Sequence, residues 1–247
     1  MVMRAAAVLL CALASVSAHA AEQDEAKLQE LERRLERVEA IKAIERLQSI
    51  YGYYQDRFLF DEPPTLFTKD RPSAHYDDGV WEGTAGIDRL WRGYFRKTLA
   101  RGTKGPIAGE LFDQPQMQGV ITVAEDGRTA TATFRTLGRR VVYGKHEEWI
   151  AGLYRNDYVN EDGVWKFKTL RYCTLWSAPY TQGWKDVAPV KRERWRLYPR
   201  NPQGPDRLAR EEERCPAGYP QLDTSELDFA HPVTGETLRE IASRVQP

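Results

Sequence analysis

The sequence predicts an α+β fold in which a curved antiparallel sheet wraps around helices, followed by a C-terminal extension. Three observations carry this. Residues 145–176 read as two long strands, rich in Tyr, Trp, Val and Phe, that flank the turn Asn160-Glu161-Asp162-Gly163, where Gly163 supplies a positive φ. A second hairpin precedes it, with strands over 116–123 and 129–142 around Asp126-Gly127. Upstream, two helical stretches with apolar faces bracket a shorter strand-like run. The order helix, strand, helix and four-stranded meander is that of a sheet covering helices.

Taken in order, the chain opens on a secretory leader over residues 1–20. Arg4 is the positive region, Ala5 to Val16 the apolar run, and Ala18-His19-Ala20 the cleavage site. The run is too short to span a bilayer, and no later stretch is long and apolar enough. An exported, periplasmic location is expected, with cleavage after Ala20. Residues 22–40 form a helical extension in which Leu28, Leu31, Leu35 and Val38 follow a/d spacing. They would either dock on their own domain, the reading preferred, or pair between subunits. From Ile41 the stripe shifts to Ile44, Leu47, Ile50, Tyr51 and Tyr54, the spacing of a helix that covers a sheet. Pro63-Pro64 ends it. Ala74 to Glu82 reads as one strand. Thr84 would cap a helix over 85–100 with Ile87, Leu90, Trp91, Tyr94, Phe95 and Leu99 inward, and 101–109 is a loop. The core domain thus spans 41–176. Residues 177–247 are Pro-rich and polar, with a short helix near Thr237 to Val245, and read as an extension wrapped over the domain or a neighbouring subunit.

The 247 residues carry 36 basic and 36 acidic side chains, a net charge of zero that argues against a general nucleic-acid partner. Twelve Tyr and seven Trp favour an aromatic-lined cavity or interface. Beyond the leader only Cys173 and Cys215 remain, either one disulfide or two separate thiols, and too few for a thiolate zinc site.

The runs IERLQSIYGYYQDRFLFDEPPTLFTKD, HYDDGVWEGTAGIDRLW, GVITVAEDGRTATATF and GLYRNDYVNEDGVWKFKTLRY, in this order from Glu39 to Trp176, resemble a SnoaL-like domain of the nuclear transport factor 2-like superfamily. The resemblance implies a cone-shaped α+β barrel with a deep pocket between helices and sheet. It implies function more weakly, because members include cofactor-independent dehydratases, isomerases, cyclases and lyases beside non-enzymatic binders. Scytalone dehydratase and the γ-formaldehyde lyases of lignin-derived diaryl compounds are the similar branch. The run Ser177 to Trp184 also looks like the aromatic-lyase side.

Several residues could carry chemistry. Asp56 stands where the resemblance places a helix carboxylate five residues after Tyr51. It is either a proton-transferring group with a raised pKa or a partner of Arg57. Tyr51 and Tyr54 lie three apart on one helix face and could polarise a substrate oxygen. Strand alternation puts His146, Glu148, Ile150, Gly152, Tyr154, Asn156 and Tyr158 on one face. His146 is then a general acid/base held by Glu148, or a solvent-facing residue at a hairpin end. His75 and Asp77 share a face, preferably on an exposed edge strand. Alternation brings Trp165, Phe167, Thr169 and Arg171 inward, unless a bulge near Thr169 brings Tyr172 in instead. Trp81, Trp91, Trp149 and Trp176 are apolar anchors, with Trp91 facing the pocket. No P-loop, GxGxxG, GxSxG or HExxH occurs, so neither metal nor nucleotide cofactor is expected.

These readings converge on a cofactor-independent lyase. Asp56 or His146 would act as base, Tyr51 and Tyr54 as hydroxyl donors, and Glu148, Tyr154, Asn156, Tyr158, Arg171, Tyr172 and Trp91 as the substrate wall. The substrate would be an oxygenated aromatic of the lignin diaryl type, losing formaldehyde or water. The alternative is a non-catalytic periplasmic binding protein for an aromatic or lipid-like ligand. Either would assemble as a homo-oligomer, dimer or trimer.

Overall fold

α1 (Val2–Asp56) is one continuous helix, and among its described side chains, from residue 22 onward, packing begins at Ala40. The computed structural model describes residues 2–185, 187–190, 192, 194–221 and 229–244, with the backbone alone for 2–21, 238 and 239. The expected leader side chains therefore lie outside the described residues. Ala40, Ile44, Gln48, Tyr51 and Gln55 form the buried line of α1, each three or four residues from the last. Two of the five are glutamines, which a search for apolar periodicity passes over. Residues 22–39 are exposed on every side, so the expected docking of Leu28, Leu31, Leu35 and Val38 on their own domain does not occur.

The sheet has eight strands: β1 (Ser73–Tyr76), β2 (Gly79–Glu82), β3 (Glu110–Asp113), β4 (Gln116–Val123), β5 (Thr129–Val142), β6 (His146–Glu161), β7 (Val164–Pro179) and β8 (Arg207–Leu208). Their order is β3-β5-β6-β7-β1-β2-β8, with β4 also paired to β5, and the sheet curves without closing. Only the β1–β7 pairing among the named strands is parallel. The long hairpin is as expected: Gly163 has φ 85°, and its N–H donates to Asn160 Oδ1 at 2.8 Å.

The single strand expected over Ala74 to Glu82 is instead a hairpin. Asp77 turns at φ 48°, held because its carboxylate accepts the Thr174 N–H at 2.9 Å. β1 is thereby an interior strand between β7 and β2, not an edge. α2 (Gly83–Asp88) begins without the expected Thr84 cap. Glu82 is the N-cap residue and makes no side-chain cap bond. α2 runs into a π-helical segment (Arg89–Phe95) and a last α turn, α3 (Arg96–Thr98). The wider π turn directs Leu90, Trp91 and Phe95 to the same buried side. Trp81 and Trp91 are fully buried anchors as expected, whereas Trp149 and Trp176 are partly exposed. Arg139 lies over the Trp149 ring, and Trp176 packs edge-on against Trp184.

The extension is part of the fold. β8, not anticipated, adds to β2. Trp195 joins the core, with its ring 5.0 Å from those of Trp81 and Tyr94. Asp206 accepts the Glu82 N–H at 2.8 Å and pairs with Arg89. Cys173 and Cys215 are joined as a disulfide, which ties the extension to β7 across 42 residues. The expected C-terminal helix is α4 (Leu238–Ser243), capped by the Thr237 side chain.

Candidate active site

A cavity of about 190 Å³ opens between α1, the π-helical segment and the inner face of β6 and β7. Its interior holds a ladder of polar tips on aromatic bodies. Tyr51 Oη lies 3.5 Å from Tyr154 Oη. The Tyr154 hydroxyl donates to Gln114 Oε1 at 3.4 Å, and Gln114 Nε2 donates to Tyr172 Oη at 2.8 Å. On the helical side Trp91 Nε1 donates to Gln55 Oε1 at 3.0 Å. The Tyr76 ring stacks on that of Tyr172 at 5.7 Å. Burial pushes Tyr51, Tyr154 and Tyr172 well above the ordinary tyrosine range. They are therefore neutral hydrogen-bonding groups across the usable pH range, not bases.

Two wall positions follow from strand geometry. Gly152 lies under the Tyr172 ring, and a Cβ there would overlap its Cε2, Cζ and Oη atoms. Tyr172 itself points inward because β7 carries an extra residue. Asp157 is opposite Thr169 but Tyr158 is opposite Phe167, so Lys168 is bulged. The bulge reverses the alternation beyond it. Arg171, expected inward, leaves the inner face, and Tyr172 takes its place.

The charged groups sit elsewhere on the lining. Arg140 and Glu148 are directly opposite each other on β5 and β6, and both line the cavity. His146 Nε2 is 3.1 Å from Glu148 Oε2, with the imidazole side chain 46% exposed and the carboxylate 23%. The expected His146–Glu148 pair thus exists, with Glu148 lining the cavity and His146 behind it at the strand end.

Of the other expected site residues, Tyr51, Tyr154, Tyr172 and Trp91 line the cavity with Glu148, and Tyr54 does not. Asn156 and Tyr158 are buried but belong to a separate network: both donate to Gln48 Oε1 at 2.9 Å, and Gln48 Nε2 donates to Gln116 Oε1 at 2.7 Å. Asp56 is half-buried outside the lining, where its Oδ1 accepts the Gln114 N–H at 2.8 Å. It positions the residue that bridges Tyr154 and Tyr172. His75, expected on an exposed edge, is 3% exposed. It borders the cavity from β1, but alternation turns its ring to the other face, where Arg171 Nε donates to Nδ1 at 3.5 Å. Burial foremost, then the Arg171 charge, depresses it to about 3. Gln55, Tyr76, Gln114 and Arg140 escaped the sequence reading. Tyr76 alone carried a signal, being an aromatic two residues from Ala74 on a strand. Among the described residues, no group of three His, Cys, Asp or Glu is placed to hold a metal ion.

Residues 36–171 match the sequence profile of the SnoaL-like domain. The chain belongs to this family. Among solved structures, LinA shares the fold of this SnoaL-like protein at a TM-score of 0.51 and 18% identity, over 61% of this chain and 96% of LinA. A protein from Novosphingobium aromaticivorans described as a putative scytalone dehydratase has 21% identity and a TM-score of 0.47, over 64% of this chain and 97% of its own. ActVI-ORFA from Streptomyces coelicolor has 19% identity and a TM-score of 0.45, over 54% and 93%. No curated protein matches the chain in sequence. The SnoaL-like match stops at Arg171, one residue before Tyr172, so part of the cavity wall lies beyond it.

Asp56 leads to a pH prediction for this SnoaL-like fold. Burial foremost raises its carboxyl from 3.8 to about 6, against the lowering effect of the Gln114 N–H. Between those values the folded chain keeps a proton that the unfolded chain has released, so this group's contribution to stability falls as pH rises through that window. Asp56→Asn should remove that downward slope, read as Tm against pH. The slope left by His75 has the opposite sign. Its folded pKa of about 3 lies below the ordinary 6.5, so stability is lost as pH falls from 6.5 toward 3. An unchanged profile in Asp56→Asn would show that the carboxyl is not shifted.

Proposed function

We propose that the protein is a cofactor-independent lyase that eliminates water or formaldehyde from a small oxygenated aromatic molecule. The observation that carries this reading is one cavity lined both by the carboxylate of Glu148 and by the neutral hydroxyls of Tyr51, Tyr154 and Tyr172. In loss of water Glu148 would take a carbon-bound proton and return it to the departing hydroxyl; in loss of formaldehyde it would take the hydroxymethyl O–H proton as the C–C bond breaks and return it to the carbon left with the electron pair. His146, in contact with the carboxylate, would hold its orientation. The tyrosine hydroxyls, too weakly acidic to give up protons, would donate hydrogen bonds to the oxygen on which charge develops. Arg140, opposite Glu148, would favour a phenolate or carboxylate substituent. The shared fold of LinA, a hexachlorocyclohexane dehydrochlorinase, is in keeping with elimination chemistry.

Cavity size narrows the substrate. A dry cavity of about 150 Å³ takes benzene, so about 190 Å³ suits a substituted single ring or a fused bicycle better than an extended diaryl compound. The location that fits this reading is the periplasm, after removal of residues 1–20.

The test is a turnover screen without added cofactor, over hydroxylated and hydroxymethylated single-ring and bicyclic aromatics with diaryl propanediols alongside. It reads formaldehyde and the absorbance of a new conjugated alkene. Turnover of the smaller compounds is expected. Thermal stabilisation by these compounds without any turnover would replace the lyase by a binding protein.

A further inference from the structure

We propose that residues 25–39 of α1 pair with a second copy of the chain as a parallel, in-register, two-stranded coiled coil. Leu28, Leu31, Leu35 and Val38 are 56%, 58%, 58% and 55% exposed, although they fall on one line of the helix. A continuous apolar line left in water marks an interaction surface. The line does not face the chain's own domain. The groove between α1 and the β4–β5 turn is lined on the helix by Glu30, Arg33, Arg34, Glu36, Arg37 and Glu39 and then Ala40 and Ala43, and by none of the four apolar residues of the line.

The charges beside the line identify the occupant. With Leu28 and Leu35 at a and Leu31 and Val38 at d, every e position from 25 to 39 is acidic (Glu25, Glu32, Glu39). Both g positions are basic (Lys27, Arg34). In a parallel pair of identical helices, each g residue faces the e residue of the next heptad on the other helix. Lys27 of one copy then meets Glu32 of the other, and Arg34 meets Glu39, so every flanking contact is attractive. An antiparallel pair would set Glu against Glu and basic against basic. The intrahelical pair of Arg33 with Glu30, at 2.7 Å, lies on the outer positions and leaves the seam free. Length is no obstacle: α1 is packed from Ala40 onward, so the stretch before it only extends a helix already nucleated.

The full 247-residue chain, expressed and purified, is to be examined by light scattering over a concentration series. The expected result is a dimer whose mass halves in Leu28→Glu/Leu35→Glu while the thermal transition stays in place, because both positions are exposed. Lys27→Glu/Arg34→Glu and Glu32→Lys/Glu39→Lys should each be monomeric alone, through like-charge contacts, and should form a dimer when mixed in equal amounts. A wild-type monomer at every concentration overturns the proposal. So does a trimer, a dimer that survives Leu28→Glu/Leu35→Glu, or a mixture of the two charge variants that stays monomeric.

Discussion

Glu148→Gln should lower turnover by about 10²- to 10⁴-fold, the usual contribution of a positioned acid/base group. The substitution keeps the shape of the side chain and removes only its capacity to accept a proton. Glu148 is on β6, on the same face as Ile150 and Tyr154, and its register partner Arg140 lines the cavity with it. It is the one carboxylate of the lining, which sets it apart from Asp56, whose oxygen is engaged by the Gln114 backbone. Glu148→Gln should therefore slow product formation by that factor with Tm unchanged. His146→Ala, which removes only the group behind the carboxylate, should cost less. Asp56→Asn should keep most of the turnover, since Asn Oδ1 can still accept the Gln114 N–H. The measurement is kcat and KM on the best substrate of the screen, with Tm for each variant. Wild-type turnover in Glu148→Gln would end its assignment as base, and loss of turnover in Asp56→Asn would return that role to the helix carboxylate.

The second large effect is expected at Gly152. Any side chain there meets the Tyr172 ring, which can give way only into the cavity that it lines. Tyr172 is 5% exposed, 4.8 Å from the Tyr154 ring and 5.7 Å from that of Tyr76, with its hydroxyl held by Gln114. Overpacking of a buried site costs about 1–3 kcal/mol, and the displaced hydrogen bond about 1 kcal/mol more. For a chain of this size each kcal/mol is worth about 2–4 °C in Tm. Gly152→Val should thus lower Tm by roughly 5–15 °C on these figures and remove ligand-induced stabilisation, because the ring that moves is a wall of the cavity. Gly152→Ala should do the same to a smaller degree. A Gly152→Val protein with wild-type Tm and ligand response would show that Tyr172 does not rest over this position.

Much of this was legible in the sequence. Strict alternation along β6 correctly grouped Glu148, Tyr154, Asn156 and Tyr158, because a long interior strand flanked by regular turns leaves little freedom of register. On β7 strict alternation fails and the alternative of a bulge near Thr169 holds: the bulged Lys168 moves Arg171 out and Tyr172 in. A bulge is decided by pairing with β6 and leaves no mark on its own strand. Gln48, Gln55 and Gln114 were missed for another reason. They are polar side chains buried because each is hydrogen-bonded to a side chain from a distant part of the sequence, and hydropathy weighs each residue alone. His75 was misplaced because what covers its strand, β8 and the segment up to Cys215, comes from more than a hundred residues downstream. The stripe Leu28 to Val38 was seen, but spacing by itself does not say whether a leucine meets its own domain or another.

The end of the family match at Arg171 falls inside β7. What is common to relatives is therefore not a self-sufficient body in this protein. Tyr172, Thr174 and Ser177 of the cavity wall, both cysteines of the disulfide bridge and the indole of Trp195 all come after the shared stretch. A chimera that swaps cones between relatives would have to place its junction beyond Cys215. One spliced at Arg171 would keep the disulfide but join a cavity wall whose two halves come from different proteins.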